Sequence, residues 1–243
     1  MPLASAYYRP HSINEAVTLL ADKNRVALAG GTIVNADRTH AGIELVDLQA
    51  LGLSGISAEA GRVAVGAMTT LSALADADLI SGELQAIARA ELPSTLRTRA
   101  TVGGTVAAMR SDSVLAAALL ASDGRATVVD SAGEATAVTL ADLFSMGPRP
   151  QRLITAVEIA AGGTLALAST GRTPADVPIV AAVAHRLNGT TTVALTGVAA
   201  TPVIVDPENP TVGLEPPGDF RGSSHYRRQL AATLTRRALE VLS

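Results

Sequence analysis

The sequence predicts an α+β protein of two domains, and three observations carry the prediction. A capped amphipathic helix sits between short apolar strands near the start. The strands of the last third alternate apolar with small or polar residues, the pattern of an antiparallel sheet with one buried face. A Pro-rich, weakly patterned segment, 202–220, then leads to a closing helix. The 243 residues, 48% of them hydrophobic, supply core for one large domain or two ordinary ones.

Taken in order, Ser12 and Glu15 form a capping box ahead of AVTLL, which opens a helix running to about Ala21. RVALAGG reads as a buried strand entering a glycine turn, and Ile43 to Leu48 as a second strand. Arg62 to Ala67 is a strand; Thr69 and Thr70 cap a helix from Leu71 to Asp76, and another helix runs from Ser81 to about Leu92. After RATVGGTVAA come an apolar helix, Val114 to Ala121, and a hairpin of RATVVD and EATAVTL around Ser131-Ala-Gly. The first mixed region ends near Gly147-Pro-Arg-Pro, and the last third holds strands at RLITAVEIA, TLALAS, IVAAVAHRL and TTVALTGVAA before a helix from Ser223 to Leu242.

Composition narrows the function. The net charge is -3 with acids and bases scattered, so no basic stripe marks a nucleic-acid surface. With no cysteine, the chain cannot itself hold an iron–sulfur cluster or a thiolate metal site. MPLASAYYRPHS lacks the basic and apolar regions of a secretion signal, and no apolar run reaches the length of a membrane span, so the expected compartment is the cytoplasm. Four histidines stand far apart without metal-ligand spacing, so no metal site is expected. The serines lack a G-x-S-x-G elbow, and Asp37, Asp76 and Asp78 suit solvated or capping roles better than paired-carboxylate catalysis.

Two Gly-Gly-Thr stretches remain, LAGGTIV from Leu28 and RATVGGTV from Arg99, about seventy residues apart. Glycine pairs after a buried strand permit positive φ and bring main-chain N–H groups to a ligand, where successive amides bind phosphate without a lysine. A single copy is more often a plain tight turn; two in comparable contexts favour binding. Neither has Rossmann spacing, and no P-loop occurs.

In order along the chain, YYRPHSINEAVTLL, LAGGTIV, LVDLQALGLSGI, VAVGAMTTLSAL and LRTRATVGGTVAA resemble the FAD-binding medium subunit of molybdenum hydroxylases, the xanthine dehydrogenase and carbon monoxide dehydrogenase family. LITAVEI, RTPADVPIVAAVA, TVALTGVAATPV and DFRGSSHYRRQLAATLTRRAL resemble that family's C-terminal domain, so the likeness covers nearly the whole chain. It implies a two-subdomain FAD-binding domain of the PCMH/vanillyl-alcohol-oxidase-like type at 1–160, with subdomains of about 1–57 and 58–160. A small C-terminal domain with an antiparallel sheet and a helix would follow at 175–243. It implies further that FAD lies among these units with both glycine loops on its pyrophosphate. Carried over to this chain, the cofactor-binding residues are Leu28, Ala29, Gly30, Gly31, Thr32 and Ile33, then Thr101, Val102, Gly103, Gly104 and Thr105, with Asp112 and Ile154. The resemblance implies an oxidoreductase subunit that takes electrons from a molybdopterin-binding large subunit through a 2Fe-2S small subunit. It would pass them to NAD or another acceptor, and no catalytic residue of its own is expected.

The chain departs from the family pattern at several points. Ile33 replaces a usual polar residue after the first loop, and the turn from Ala107 to Asp112 is about two residues short, which makes Ser111 and Ser113 rivals to Asp112. Ala168 stands where many members place a lysine near the flavin, four residues before Arg172. The segment 159–173 is also short, and aromatic residues are few. Two alternatives therefore stay open: a structural subunit of this fold that has lost FAD, and a stand-alone flavoprotein. Arg97 and Arg99 flank the second loop as candidate phosphate neighbours. Tyr226, Arg227, Arg228, Arg236 and Arg237 give the last helix a basic face, solvated or used for docking.

Overall fold

The computed structural model describes residues 4–34, 42–148, 151–171 and 176–242; Asp37, His40 and Arg172 lie outside the described residues. The chain begins with a strand, β1 (Ala6–Tyr8), and a helix, α1 (Ile13–Leu20), and returns through β2 (Arg25–Leu28) and β3 (Glu44–Asp47). The three strands pair in parallel in the order β1-β3-β2, as the helical crossover requires. Ser12 caps α1 by accepting from the Glu15 N–H, and Glu15 reaches back to the His11 N–H at 2.9 Å, one residue beyond the usual partner. The helix buries Ala16, Val17 and Leu20 against Val46 and Leu48.

The second sheet is antiparallel, in the order β4-β5-β8-β6-β7. Its strands are β4 (Ile56–Glu59), β5 (Arg62–Gly66), β6 (Arg125–Val129), β7 (Ala135–Thr139) and β8 (Leu153–Ala160). The division expected at about residue 57 therefore falls inside β4. RLITAVEIA, grouped with the last third by its sequence, forms β8 at the centre of this sheet, between β5 and β6. Helices α2 (Leu71–Ala75), α3 (Gly82–Glu91), α4 (Ser94–Arg97), α5 (Val102–Ala108), α6 (Val114–Ala121) and α7 (Leu140–Met146) accompany it. α6 is apolar all round, and every residue from Leu115 to Ala121 is buried.

The reason lies in the third sheet, β9 (Thr164–Thr170), β10 (Val180–Leu187), β11 (Thr190–Thr196) and β12 (Val203–Val205), antiparallel in the order β12-β11-β10-β9. One face, with Ala166, Val180, Ala182 and Ala184, packs on α8 (Ser224–Val241). The other, with Leu165, Val183 and Ala194, joins the core that contains α6. This sheet is thus covered on both faces, which corrects the expectation of one buried face. Of the residues expected to give α8 a basic face, Tyr226, Arg228, Arg236 and Arg237 are exposed, whereas Arg227 is corrected: it is 4% exposed and holds the sheet rather than facing solvent. Its Nη1 donates to the Ile179 and Gly197 carbonyls at 3.0 and 2.8 Å, and its Nη2 pairs with Asp219 at 2.7 Å. Among the described residues no helix is long and apolar enough to cross a membrane.

Candidate cofactor site

The first glycine loop leaves β2 at Leu28, whose carbonyl accepts from the Leu48 N–H at 3.0 Å. Gly31 has φ 70°, in the left-handed region that favours glycine. Gly30 is required for a different reason: a Cβ there would lie 1.8 Å from the carbonyl oxygen of Arg99, in the segment leading to the second Gly-Gly-Thr. The two loops thus touch through their backbones. The amides of Gly30, Gly31 and Thr32 hold no hydrogen-bond partner among the described residues.

The second stretch is not a turn. Thr101 caps α5, and Gly103 and Gly104 lie within its first turn. Its amides are committed inside the protein: Val102 N–H donates to the Thr69 carbonyl and Gly103 N–H to the Ala67 carbonyl, both at 2.9 Å. Gly104 N–H donates to Thr101 Oγ1 at 3.1 Å, and Thr105 N–H to the Thr101 carbonyl at 2.9 Å. The expectation of amides open to phosphate is corrected for this loop. What fixes glycine at 103 is packing, since a Cβ would come within 2.6 Å of the Ala67 Cβ.

Both loops open on one cavity of about 1460 Å³, larger than a compact small-molecule site. Ala29, Gly30, Gly31, Thr32, Ile33, Thr101, Gly103, Gly104, Thr105, Asp112 and Ile154 line it. Leu28 and Val102 do not; Val102 is fully buried in the core beneath. Of the three candidates in the turn before α6, only Asp112 reaches the cavity, its carboxylate held by Arg110 at 3.0 and 3.1 Å. The Ser111 carbonyl accepts from the Gly197 N–H at 2.7 Å, and the Ser113 hydroxyl donates to Glu91 at 2.5 Å.

The structure adds residues that sequence reasoning did not name. Met68, Glu91, Leu92, Met109 and Leu96 form apolar wall broken by one carboxylate, and Leu167, Ser169 and Val177 close the side toward the third sheet. Burial pushes the Glu91 carboxyl above the usual range, further than its bonds from Ser113 and the Leu115 N–H draw it down; Asp112 adds to the rise and Arg110 opposes it. Lys23 and Arg152 lie on the rim. Arg97 and Arg99 do not line the cavity: Arg97 donates to the Leu92 carbonyl at 2.8 Å, and Arg99 is exposed. Ala168 is also displaced from its expected role. It packs against the α8 cluster, on the face of β9 opposite Leu167 and Ser169.

Residues 3–161 match the family model described as the FAD binding domain in molybdopterin dehydrogenase. The carbon monoxide dehydrogenase medium chain of Afipia carboxidovorans is 30% identical over 280 residues, covering 99% of this chain and 97% of the relative. The uncharacterized protein YgfM of Escherichia coli is 30% identical over 245 residues, covering 94% and 92%. Among solved structures, the Cu,Mo-CO dehydrogenase in its cyanide-inactivated form superposes with a TM-score of 0.88 at 26% identity, covering 100% of this chain and 98% of the other.

Proposed function

The chain belongs to the family of FAD-binding domains of molybdopterin dehydrogenases, and from that premise we propose that it is the electron-transferring FAD subunit of a molybdenum hydroxylase-type complex. The observation that carries the reading is the single cavity on which an amide-presenting glycine loop, the cap of α5, Asp112 and apolar walls converge.

The residues present fit FAD. The free N–H groups of Gly30, Gly31 and Thr32 suit the oxygens of a pyrophosphate, and Thr32 and Thr101 belong to the same cavity lining. Asp112 can accept from a sugar or ribityl hydroxyl, and its two hydrogen bonds from Arg110 keep the carboxylate aimed. Leu92, Leu96, Leu167 and Met68 offer an apolar surface from which a flat ring system excludes water, without aromatic stacking. When bound, the flavin supplies the ability to exchange one electron on one side and one or two on the other. The protein binds, orients and shields it. On this reading residues 1–160 form the cofactor domain and 175–243 the C-terminal domain. Electrons arrive from the 2Fe-2S small subunit, which the molybdopterin-binding large subunit reduces, and leave to NAD or another acceptor.

The test is to recover the tagged full chain from its own host and measure FAD, molybdenum and iron in the same preparation. All three together support the proposal. FAD without molybdenum or iron identifies a stand-alone flavoprotein, and molybdenum and iron without FAD identify a structural subunit; either result overturns it.

A further inference from the structure

The turn between α5 and α6 supplies much of one cavity wall, through Met109, Arg110, Asp112 and Val114. Within it the Ser113 N–H donates to the Arg110 carbonyl at 3.2 Å and Arg110 pairs with Asp112, while its backbone is held open at a cost. Met109, a non-glycine residue with φ 47°, sits in the left-handed region as the C-cap of α5. Two outside contacts keep the turn in place. One is the Gly197 N–H on the Ser111 carbonyl; the other is Glu91, at the end of α3, twenty-two residues earlier than Ser113.

Glu91 spends both carboxylate oxygens on this junction. Oε1 accepts from the Ser113 hydroxyl at 2.5 Å and Oε2 from the Leu115 N–H at 2.9 Å, while Ser113 Oγ itself accepts from the Ala116 N–H at 3.0 Å. The carboxylate therefore pins the first turn of α6 and the residue that follows Asp112. Its burial raises its proton affinity more than these bonds lower it.

We infer that Glu91 is a positioning residue of the cofactor site: its two hydrogen bonds to Ser113 and Leu115 fix the Arg110–Ser113 turn so that Asp112 faces the cavity. The inference rests on the reading that FAD occupies this cavity. Glutamine at 91 can keep both contacts, accepting from the Leu115 N–H and donating to Ser113 Oγ, whereas alanine leaves the hydroxyl and the amide without a partner.

The test uses the full-length chain freed of FAD, in wild-type form and as Glu91→Ala and Glu91→Gln. FAD dissociation constants are measured by fluorescence, and amide hydrogen exchange is followed without FAD. Glu91→Ala is expected to weaken FAD binding about tenfold or more, and to speed exchange across 109–116 while protection of α8 and its sheet is unchanged. Glu91→Gln is expected to recover most of both. Wild-type exchange across 109–116 in Glu91→Ala overturns the inference, as does loosened exchange with unchanged FAD affinity. Glu91→Gln behaving like Glu91→Ala also overturns it, because charge and not the two hydrogen bonds would then be the active property. Failure of the wild-type chain to bind FAD refutes the proposed function instead, and the exchange measurement still decides whether Glu91 holds the turn.

Discussion

Gly30→Ala isolates the contact that joins the two glycine loops. The added Cβ would sit 1.8 Å from the Arg99 carbonyl oxygen, 2.5 Å from its carbon and 3.0 Å from the Ala100 nitrogen. All three neighbours are backbone, so no side chain can swing aside. To reach a tolerable approach the two segments must separate by about 1.2 Å or more, which for overpacking against main chain costs about 2–3 kcal/mol. In a chain of 243 residues that corresponds to a fall in melting temperature of roughly 4–12 °C. The same displacement moves the free amides of Gly30 to Thr32 away from their common site, so FAD affinity should fall by about a hundredfold even where the variant is fully folded. Thermal unfolding by circular dichroism and an FAD titration at low temperature read the two effects separately. Gly82→Ala is the control: it begins α3 with nothing within 4 Å of the new Cβ, and should leave binding untouched with stability equal or slightly higher. If Gly30→Ala melts and binds like wild type, the loops do not meet as described.

Three further outcomes follow from the same geometry. Arg227→Met leaves the Ile179 and Gly197 carbonyls and Asp219 without their donor, and should lower stability by about 3 kcal/mol in urea unfolding; Arg227→Lys should not restore it, because one ammonium cannot reach all three. In acid, the Asp219 carboxyl is held below its ordinary range first by its bond from Arg227, so its contribution is present above about pH 3.8 and lost as pH falls through the depressed value. Glu91 runs the other way: its folded form holds the proton more tightly, so stability declines as pH rises from about 4.5 through the raised value. Urea midpoints against pH should show both limbs, with Asp219→Asn flattening the acid one and Glu91→Gln the other. Finally, Ser169→Lys should raise the midpoint potential of bound flavin in a spectroelectrochemical titration, since a cation then faces the cavity; Ala168→Lys should lower the melting temperature without that shift, because it points at the α8 core.

Much of the fold was legible where local chemistry and tertiary packing agree. Ser12 and Thr70 cap the helices they announce, the helices expected from Ser81 and Ser223 start with those residues as caps, and α6 runs from Val114 to Ala121 as its uninterrupted apolar pattern suggests. β1, β4 and β12 were missed because three or four residues are too few to establish a period of two, and they are ordered by the strands beside them. α5 reads as a turn because two adjacent glycines disfavour helix; close packing on Ala67 overrides that preference. The two loops of the site were visible as glycine pairs, but the reasons for their glycines were only partly so. Positive φ explains Gly31, whereas Gly30 and Gly103 answer to backbone neighbours far away in sequence. Met68, Glu91 and Leu167 carried no signal of their own, since helix ends and strand faces become cavity walls only when three sheets are assembled. Ala168 was misplaced for the simplest reason: along a strand, one residue decides which face a side chain takes.

The central claim, that this chain holds FAD in the cavity between its glycine loops, is tested most directly by the visible absorption spectrum of the purified full-length protein, with the supernatant after denaturation analysed for released cofactor. The account predicts flavin bands and release of FAD in stoichiometric amount, either as isolated or after incubation with FAD. A colourless protein that takes up no FAD when it is supplied would contradict it.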